Sequence, residues 1–243
     1  MYEAPPEDKW FTPAQLTKLS WPEIAYFLSK AFLELESKKI SQNSLAILWA
    51  QVCLETAHGG KIFNNNFGNI KKLKDHSYTS YDCSEILNGK NENFKPYHPQ
   101  TFFAAWPTAL DGAKGYLYFL KTKKNYKEAW QMMLLGDPVK YVEALKKGGY
   151  FTANLASYTK VVVNLTKTFH KNYESFMTYE PPTIVEPKEK LPESETKQPP
   201  ESIGSNKEQD KEATVIKDKV KEVPTPNFWD NIAQVLKLWF KIK

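Results

Sequence analysis

The chain contains no arginine: all 33 of its strongly basic side chains, set against 28 acidic ones, are lysines. Without guanidinium forks the bidentate reading of guanine edges or phosphates is missing, which argues against nucleic acid as a partner. What remains is point-charge attraction to a polyanionic or lipid surface. Long apolar runs are missing as well. No stretch reaches the roughly 18 residues that a membrane-spanning helix needs, and the opening MYEAPPEDKWFTPAQ carries acids and prolines where a signal peptide carries a basic and then an apolar segment. The two cysteines, Cys53 and Cys83, are too few for a disulfide framework. With His58, His76 and His98 they are the right types for zinc, but no pair of these residues has a recognised ligand spacing, so no metal or other cofactor is expected.

What is present is ample material for a core, since 41% of the residues are hydrophobic and 14% aromatic over 243 positions. That composition stops near residue 180. Beyond it, EPPTIVEPKEKLPESETKQPPESIGSNKEQDKEATVIKDKVKEVPTP is rich in Pro, Lys, Glu and Ser and cannot bury enough surface to offset chain entropy, so 179–226 reads as a flexible linker. Residues 227–243, NFWDNIAQVLKLWFKIK, place Phe228, Ile232, Val235, Leu236 and Trp239 at helical spacing, with Lys237, Lys241 and Lys243 near the end. This is a short amphipathic helix whose apolar stripe needs a surface: a protein partner first, a membrane surface second, its own domain third.

Residues 1–178 read as mainly helical. Ser20-Trp21-Pro22-Glu23 has the form of a capping box, Thr108 with Asp111 opens another helix, and Asp137-Pro138 and Gly148-Gly149 bracket a third. Between 66 and 103 the helical period is lost, and HSYTSYDCSEILNGKNENFKPY with its Asn-Gly turn predicts a small hairpin or irregular lobe. Helices flanking such a lobe form a cleft.

The stretch LETAHGGKIFNNNFGNIK, residues 54–71, is where chemistry is expected. A helix over about 43–58 carries Leu45, Leu48, Trp49, Val52 and Thr56 on one face, with Glu55 at its edge and Gly59-Gly60 as the stop. Partial burial at a helix C-terminus favours a protonated carboxyl, which is what a general acid requires; a surface glutamate ending an amphipathic helix is the plainer alternative. Asn64, Asn65 and Asn66, followed by Phe67-Gly68-Asn69, offer amides beside an aromatic face, suited to acetamido and hydroxyl groups of amino sugars, or else simply a left-handed loop.

These residues resemble the glucosaminidase family of lysozyme-like cell-wall hydrolases, which includes autolysins, flagellar-rod enzymes and phage lysins. Ala50-Gln51, Glu55, Gly59 and Asn66-Phe67-Gly68 answer to its active-site helix and loop, and Ser80-Tyr81-Asp82-Cys83-Ser84-Glu85 answers to its hairpin. Phe103, Ala105, Trp106 and Thr108 answer to its Phe-Arg-Ala-Tyr element, and Tyr150, Thr152 and Tyr158 to its closing Gly-Tyr-Ala-Thr-Asp-x-x-Tyr motif. The likeness spans roughly 20–172; Ala104 stands where the family has arginine, and the aspartate of the closing motif has become Asn154 or been lost.

The resemblance implies an α+β lysozyme-like fold that cleaves the β-1,4 glycan of peptidoglycan as an N-acetylglucosaminidase. Glu55 is then the general acid, Glu85 the second carboxylate with Asp82 and Asp75 as rivals, and Tyr150 a catalytic neighbour. Gln51, Asn66, Phe67, Gly68, Trp106 and Tyr158 are implied to line the substrate. A muramidase or lytic transglycosylase on the same fold, or a non-catalytic glycan-binding protein, are the alternatives. With no signal peptide, the chain is expected in a phage virion or the host cytoplasm, acting on the wall, with a virion or other protein as the partner of 227–243.

Overall fold

The computed structural model describes residues 8–87 and 90–181, with the backbone alone for 85–87, 90 and 91. The chain separates into two units, Met1–Val185 and Glu186–Lys243, and every described residue lies in the first. The helix expected over 227–243, and the linker from 182 onward, lie outside the described residues.

Along the chain come β1 (Leu16–Thr17), α1 (Trp21–Glu36), α2 (Gln42–Glu55), β2 (Ile62–Phe63), β3 (Tyr78–Ser80), β4 (Cys83–Leu87), β5 (Lys90–Phe94) and β6 (Phe102–Ala104). They are followed by α3 (Ala109–Thr122), α4 (Lys127–Leu134), α5 (Pro138–Lys147), α6 (Leu155–Lys171) and α7 (Tyr173–Met177). The strands form three antiparallel ribbons, β1 with β2, β3 with β6 and β4 with β5. The fold is therefore mainly α with a small β lobe, and the lobe falls where the helical period fails.

The predicted helix starts are made by the residues that signalled them. Ser20 caps α1 and Glu23 reaches back 2.7 Å to its backbone N–H, completing the capping box with Pro22 in the first turn. Thr108 accepts from the Asp111 N–H at 3.1 Å to open α3, and Asp137 accepts from Val139 and Lys140 to open α5, which ends at Gly148.

The helix carrying Glu55 differs from the amphipathic stripe that spacing suggested. Every residue of α2 from Ser44 to Cys53 is buried. Ala, Ile, Leu, Trp and Val occupy all sides of it, so the only stable place for it is the centre, packed by α1, α4 and α6. Trp49 anchors it, its indole N–H donating to the Trp21 carbonyl at 3.0 Å while its rings meet Trp21, Phe169 and Phe176 at centroid distances of 5.4, 5.4 and 5.5 Å. Burial of each such ring contributes about 2–3 kcal/mol. The helix also ends earlier than expected, at Glu55, with Thr56 rather than Gly59-Gly60 as its stop. The Thr56 hydroxyl donates to the Val52 carbonyl at 2.6 Å and accepts from the Gly59 N–H at 3.1 Å, turning the chain out of the helix.

The asparagine turn lies directly against α3. A Cβ on Gly112 would stand 1.8 Å from the Asn65 carbonyl oxygen, so only glycine lets helix and turn approach this closely. Gly112→Ala is expected to lower unfolding free energy by about 3 kcal/mol or more, at the upper end of overpacking costs. Guanidinium unfolding followed by tryptophan fluorescence checks it; parental stability would refute the close approach.

Candidate active site

Glu55 is the last residue of the buried helix, and it emerges half-buried from the core. The Tyr158 hydroxyl donates to its Oε1 at 2.7 Å. Tyr158 is itself 3% exposed and lies flat on Phe151, with centroids 3.8 Å apart and planes within 4°. Its phenol is held well above the ordinary tyrosine range, by burial first and then by the Glu55 charge, so it remains a donor.

Around this pair stands a group of tyrosines. Tyr150 is half-buried with its hydroxyl turned inward, donating to the Gly68 carbonyl at 2.8 Å. Tyr116 donates to Gln51 Oε1 at 2.6 Å, and Tyr141 donates to the same oxygen. Burial raises Tyr116, Tyr141 and Tyr150, with the Glu55 charge adding to the rise in Tyr141 and Tyr150. Gly68 is tightly enclosed, since a Cβ there would meet the Tyr116 ring at 2.6 Å and the Tyr150 hydroxyl at 2.8 Å.

Several residues expected to touch substrate are placed in the interior instead. Gln51 is 0% exposed one turn before Glu55, its carbonyl engaged by two tyrosines. Asn66 is also 0% exposed; its amide donates to the Ile70 and Ala104 carbonyls at 2.9 and 3.0 Å and accepts from the Ile70 N–H at 2.9 Å. Phe67 is 0% exposed, and Trp106 is buried against Gly115, where a Cβ would come 2.4 Å from its ring. Gln51, Asn66 and Phe67 are fully enclosed and Trp106 nearly so; the Gln51 oxygen and the Asn66 amide are engaged within the protein, while Gln51 Nε2 is buried without a hydrogen-bond partner.

The asparagine turn has the same character throughout. Asn64, Asn65 and Asn69 take φ of 46°, 57° and 47°. Asn64 bridges Gln15 N–H and the Pro13 carbonyl, Asn65 holds the Trp106 carbonyl at 2.8 Å, and Asn69 holds the Glu55 carbonyl at 2.7 Å. The left-handed loop is the reading that the geometry supports, with its amides bracing backbone rather than facing sugar.

Glu85 lies on β4, its backbone opposite Glu92 on β5, and its side chain is outside what the structure describes. Of its rivals, Asp82 is exposed and ion-paired with Lys95 at 3.1 Å, and Asp75 is exposed at φ 52°. Asn154 caps α6 by accepting from the Ser157 N–H. Ala104 is 0% exposed on β6. Cys53 is buried in α2 and Cys83 lies on β4; neither forms a disulfide. Sequence reasoning missed Tyr141, Tyr116 and Lys146. The Lys146 ammonium donates to the Thr152 and Ala153 carbonyls at 2.9 Å each, shaping the loop between Tyr150 and Tyr158. A lysine in the last turn before Gly-Gly was the available signal.

The model of the family described as glucosaminidase, mannosyl-glycoprotein endo-beta-N-acetylglucosaminidase, matches residues 30–174, more than half of the chain. The chain belongs to the glucosaminidase family. This glucosaminidase-family chain is accordingly a glycoside hydrolase. It is similar to a solved mutant of a peptidoglycan hydrolase from Sphingomonas sp. A1, at 18% identity and TM-score 0.48 over 64% of this chain and 95% of that one. It is also similar to the glycoside hydrolase domain of Salmonella typhimurium FlgJ, at 17% identity and TM-score 0.43 over 63% and 99%. A third likeness is to the catalytic domain of the Listeria monocytogenes autolysin Auto, at 18% identity and TM-score 0.45 over 64% and 88%. No curated protein matches the chain. Among the described residues no helix is long and apolar enough to cross a membrane.

The tyrosines of this glucosaminidase-family site set a pH limit on the fold. Tyr116, Tyr141, Tyr150 and Tyr158 all titrate higher in the folded chain than the ordinary value of 10.0. The unfolded chain therefore loses these protons first as pH rises, so their stabilisation is complete below pH 10 and falls above it. Each hydroxyl that stays protonated should steepen that fall by about 1.4 kcal/mol per pH unit. Denaturant melts between pH 8 and 11 measure the slope, and Tyr141→Phe is expected to make it shallower.

Proposed function

We propose that the chain cleaves the β-1,4 glycan strand of peptidoglycan, as an N-acetylglucosaminidase, with Glu55 as the general acid. The observation that carries this reading is the Glu55–Tyr158 pair: a half-buried carboxyl, set at the end of a helix packed on every side, with one oxygen fixed by a phenol. With the Tyr158 phenol engaging Oε1, the proton is carried on the other Glu55 oxygen and passes to the glycosidic oxygen as the C1–O bond breaks; a second carboxylate stabilises the oxocarbenium ion until water adds at C1 and gives up its proton. Glu85 is assigned that second role because its strand matches the family hairpin. Tyr150, half-buried near Glu55, borders the reacting sugar, and Tyr158 acts from the interior by holding the Glu55 carboxyl. Peptidoglycan is favoured over glycoprotein glycans by the autolysin-like motifs, and a lysine-only charge of +5 suits a polyanionic wall.

Glu55→Gln keeps the shape and removes the proton, so release of reducing ends from purified cell walls should fall about 100-fold or more, with wall binding retained. Glu85→Gln should lower kcat with little change in binding; a loss in Asp82→Asn instead would transfer the role to Asp82. Unchanged cleavage by Glu55→Gln would overturn the reading, and cleavage of a high-mannose glycoprotein but not of walls would overturn the substrate.

The finer reading of the chain's setting is a phage-borne enzyme carried on the particle through residues 227–243, joined to the hydrolase by the linker. The apolar stripe of that segment supports it. Removal of residues 182–243 is expected to leave cleavage of soluble glycan fragments within about twofold of the full chain while abolishing co-purification with virions.

A further inference from the structure

The geometry points to Asn69 and Tyr81 as a strut that positions Glu55, by closing the last turn of α2 from outside the helix. The inference rests on the proposed role of Glu55. A helix leaves its last four carbonyls without intrahelical partners, and a catalytic side chain on the final residue is only as well placed as that final turn. Here the turn is closed piece by piece: the Val52 carbonyl accepts from Thr56, the Cys53 carbonyl from the His58 N–H at 2.7 Å, and the Glu55 carbonyl from Asn69 Nδ2 at 2.7 Å.

The Glu55 carbonyl can only accept, so it fixes the Asn69 amide with Nδ2 toward the helix and Oδ1 away from it. Oδ1 then faces the Tyr81 hydroxyl, which donates across 3.4 Å, the long end of a hydrogen bond. The tyrosine ring is clamped on both faces, by Phe63 with centroids 4.2 Å apart and planes 20° off parallel, and by Phe103 at 4.4 Å and 12°. Burial holds the Tyr81 phenol well above the ordinary tyrosine range, so it stays a donor. A phenylalanine would complete this stack equally well, and the hydroxyl therefore has no packing purpose. Among the described residues its hydrogen-bond partner is the amide that caps Glu55. Tyr81 also lies two residues before β4, so the strut joins the root of the strand carrying Glu85 to the end of the helix carrying Glu55.

The test is steady-state cleavage of soluble glycan strands by the full chain, with Glu55→Gln, Tyr81→Phe, Asn69→Gly and the double variant run side by side. Glycine at 69 keeps the left-handed backbone while removing the amide. Tyr81→Phe is expected to lower kcat about 3- to 10-fold and Asn69→Gly about 10- to 50-fold, each with KM within twofold. The double variant should be no slower than Asn69→Gly alone, because the two groups act in series. Neither loss should appear in a Glu55→Gln background. A parental kcat for Tyr81→Phe, a loss confined to KM, or additive losses would each overturn the strut. If Asn69→Gly does not fold, Tyr81→Phe alone decides. Failure of the acid assignment would be seen separately, as an undiminished rate in Glu55→Gln.

Discussion

A helix hidden on every side cannot hand its last carbonyls to water, and this constraint organises everything around Glu55. The sequence answers with short polar side chains that bond to backbone. Thr56 turns back onto Val52, and Asn69 reaches across to the Glu55 carbonyl. Asn64, Asn65 and Asn66 do the same for the segments that pack around them. Were those carbonyls left unpaired, each would cost about 1–3 kcal/mol, enough to fray the turn that holds the Glu55 carboxyl.

The second layer is aromatic. Tyr116, Tyr141, Tyr150 and Tyr158 carry directed hydroxyls: Tyr116 and Tyr141 donate to the Gln51 oxygen, Tyr150 to a backbone carbonyl and Tyr158 to the Glu55 carboxylate. Hydrogen bonds made in such a low-dielectric surrounding are stronger than in water and hold their acceptors in one orientation. The chain has no arginine to offer a guanidinium clamp, and the Tyr158 phenol donates to the Glu55 carboxyl.

Departures from the family's usual residues make local sense. At position 154 the asparagine side-chain oxygen caps α6, a role that aspartate fills as well. The alanine at 104 occupies a buried strand position whose carbonyl is claimed by Asn66.

Much of the fold was legible in the sequence because its signals are local. Ser20-Trp21-Pro22-Glu23, Thr108 with Asp111, and Asp137-Pro138 each announce a helix through bonds made within three residues, and the lobe announces itself by the loss of helical period. Glu55 was legible as the residue at the boundary of an apolar run and a turn. The roles of Gln51, Asn66, Phe67 and Trp106 were not, because an exposed amide and a buried one are written with the same letter, and only the packing of α3, β6 and the tyrosines onto the turn decides which it is. Sequence determined by itself the helices, the lobe between them and the acid at the helix end, all of which follow from spacing and from caps a few residues long. Tertiary structure alone decided that α2 is buried all round, that the asparagines brace backbone, and that Tyr158, 103 residues away in sequence, holds the Glu55 carboxyl. Contacts of that span depend on loop closure and three-dimensional packing, which no local pattern encodes.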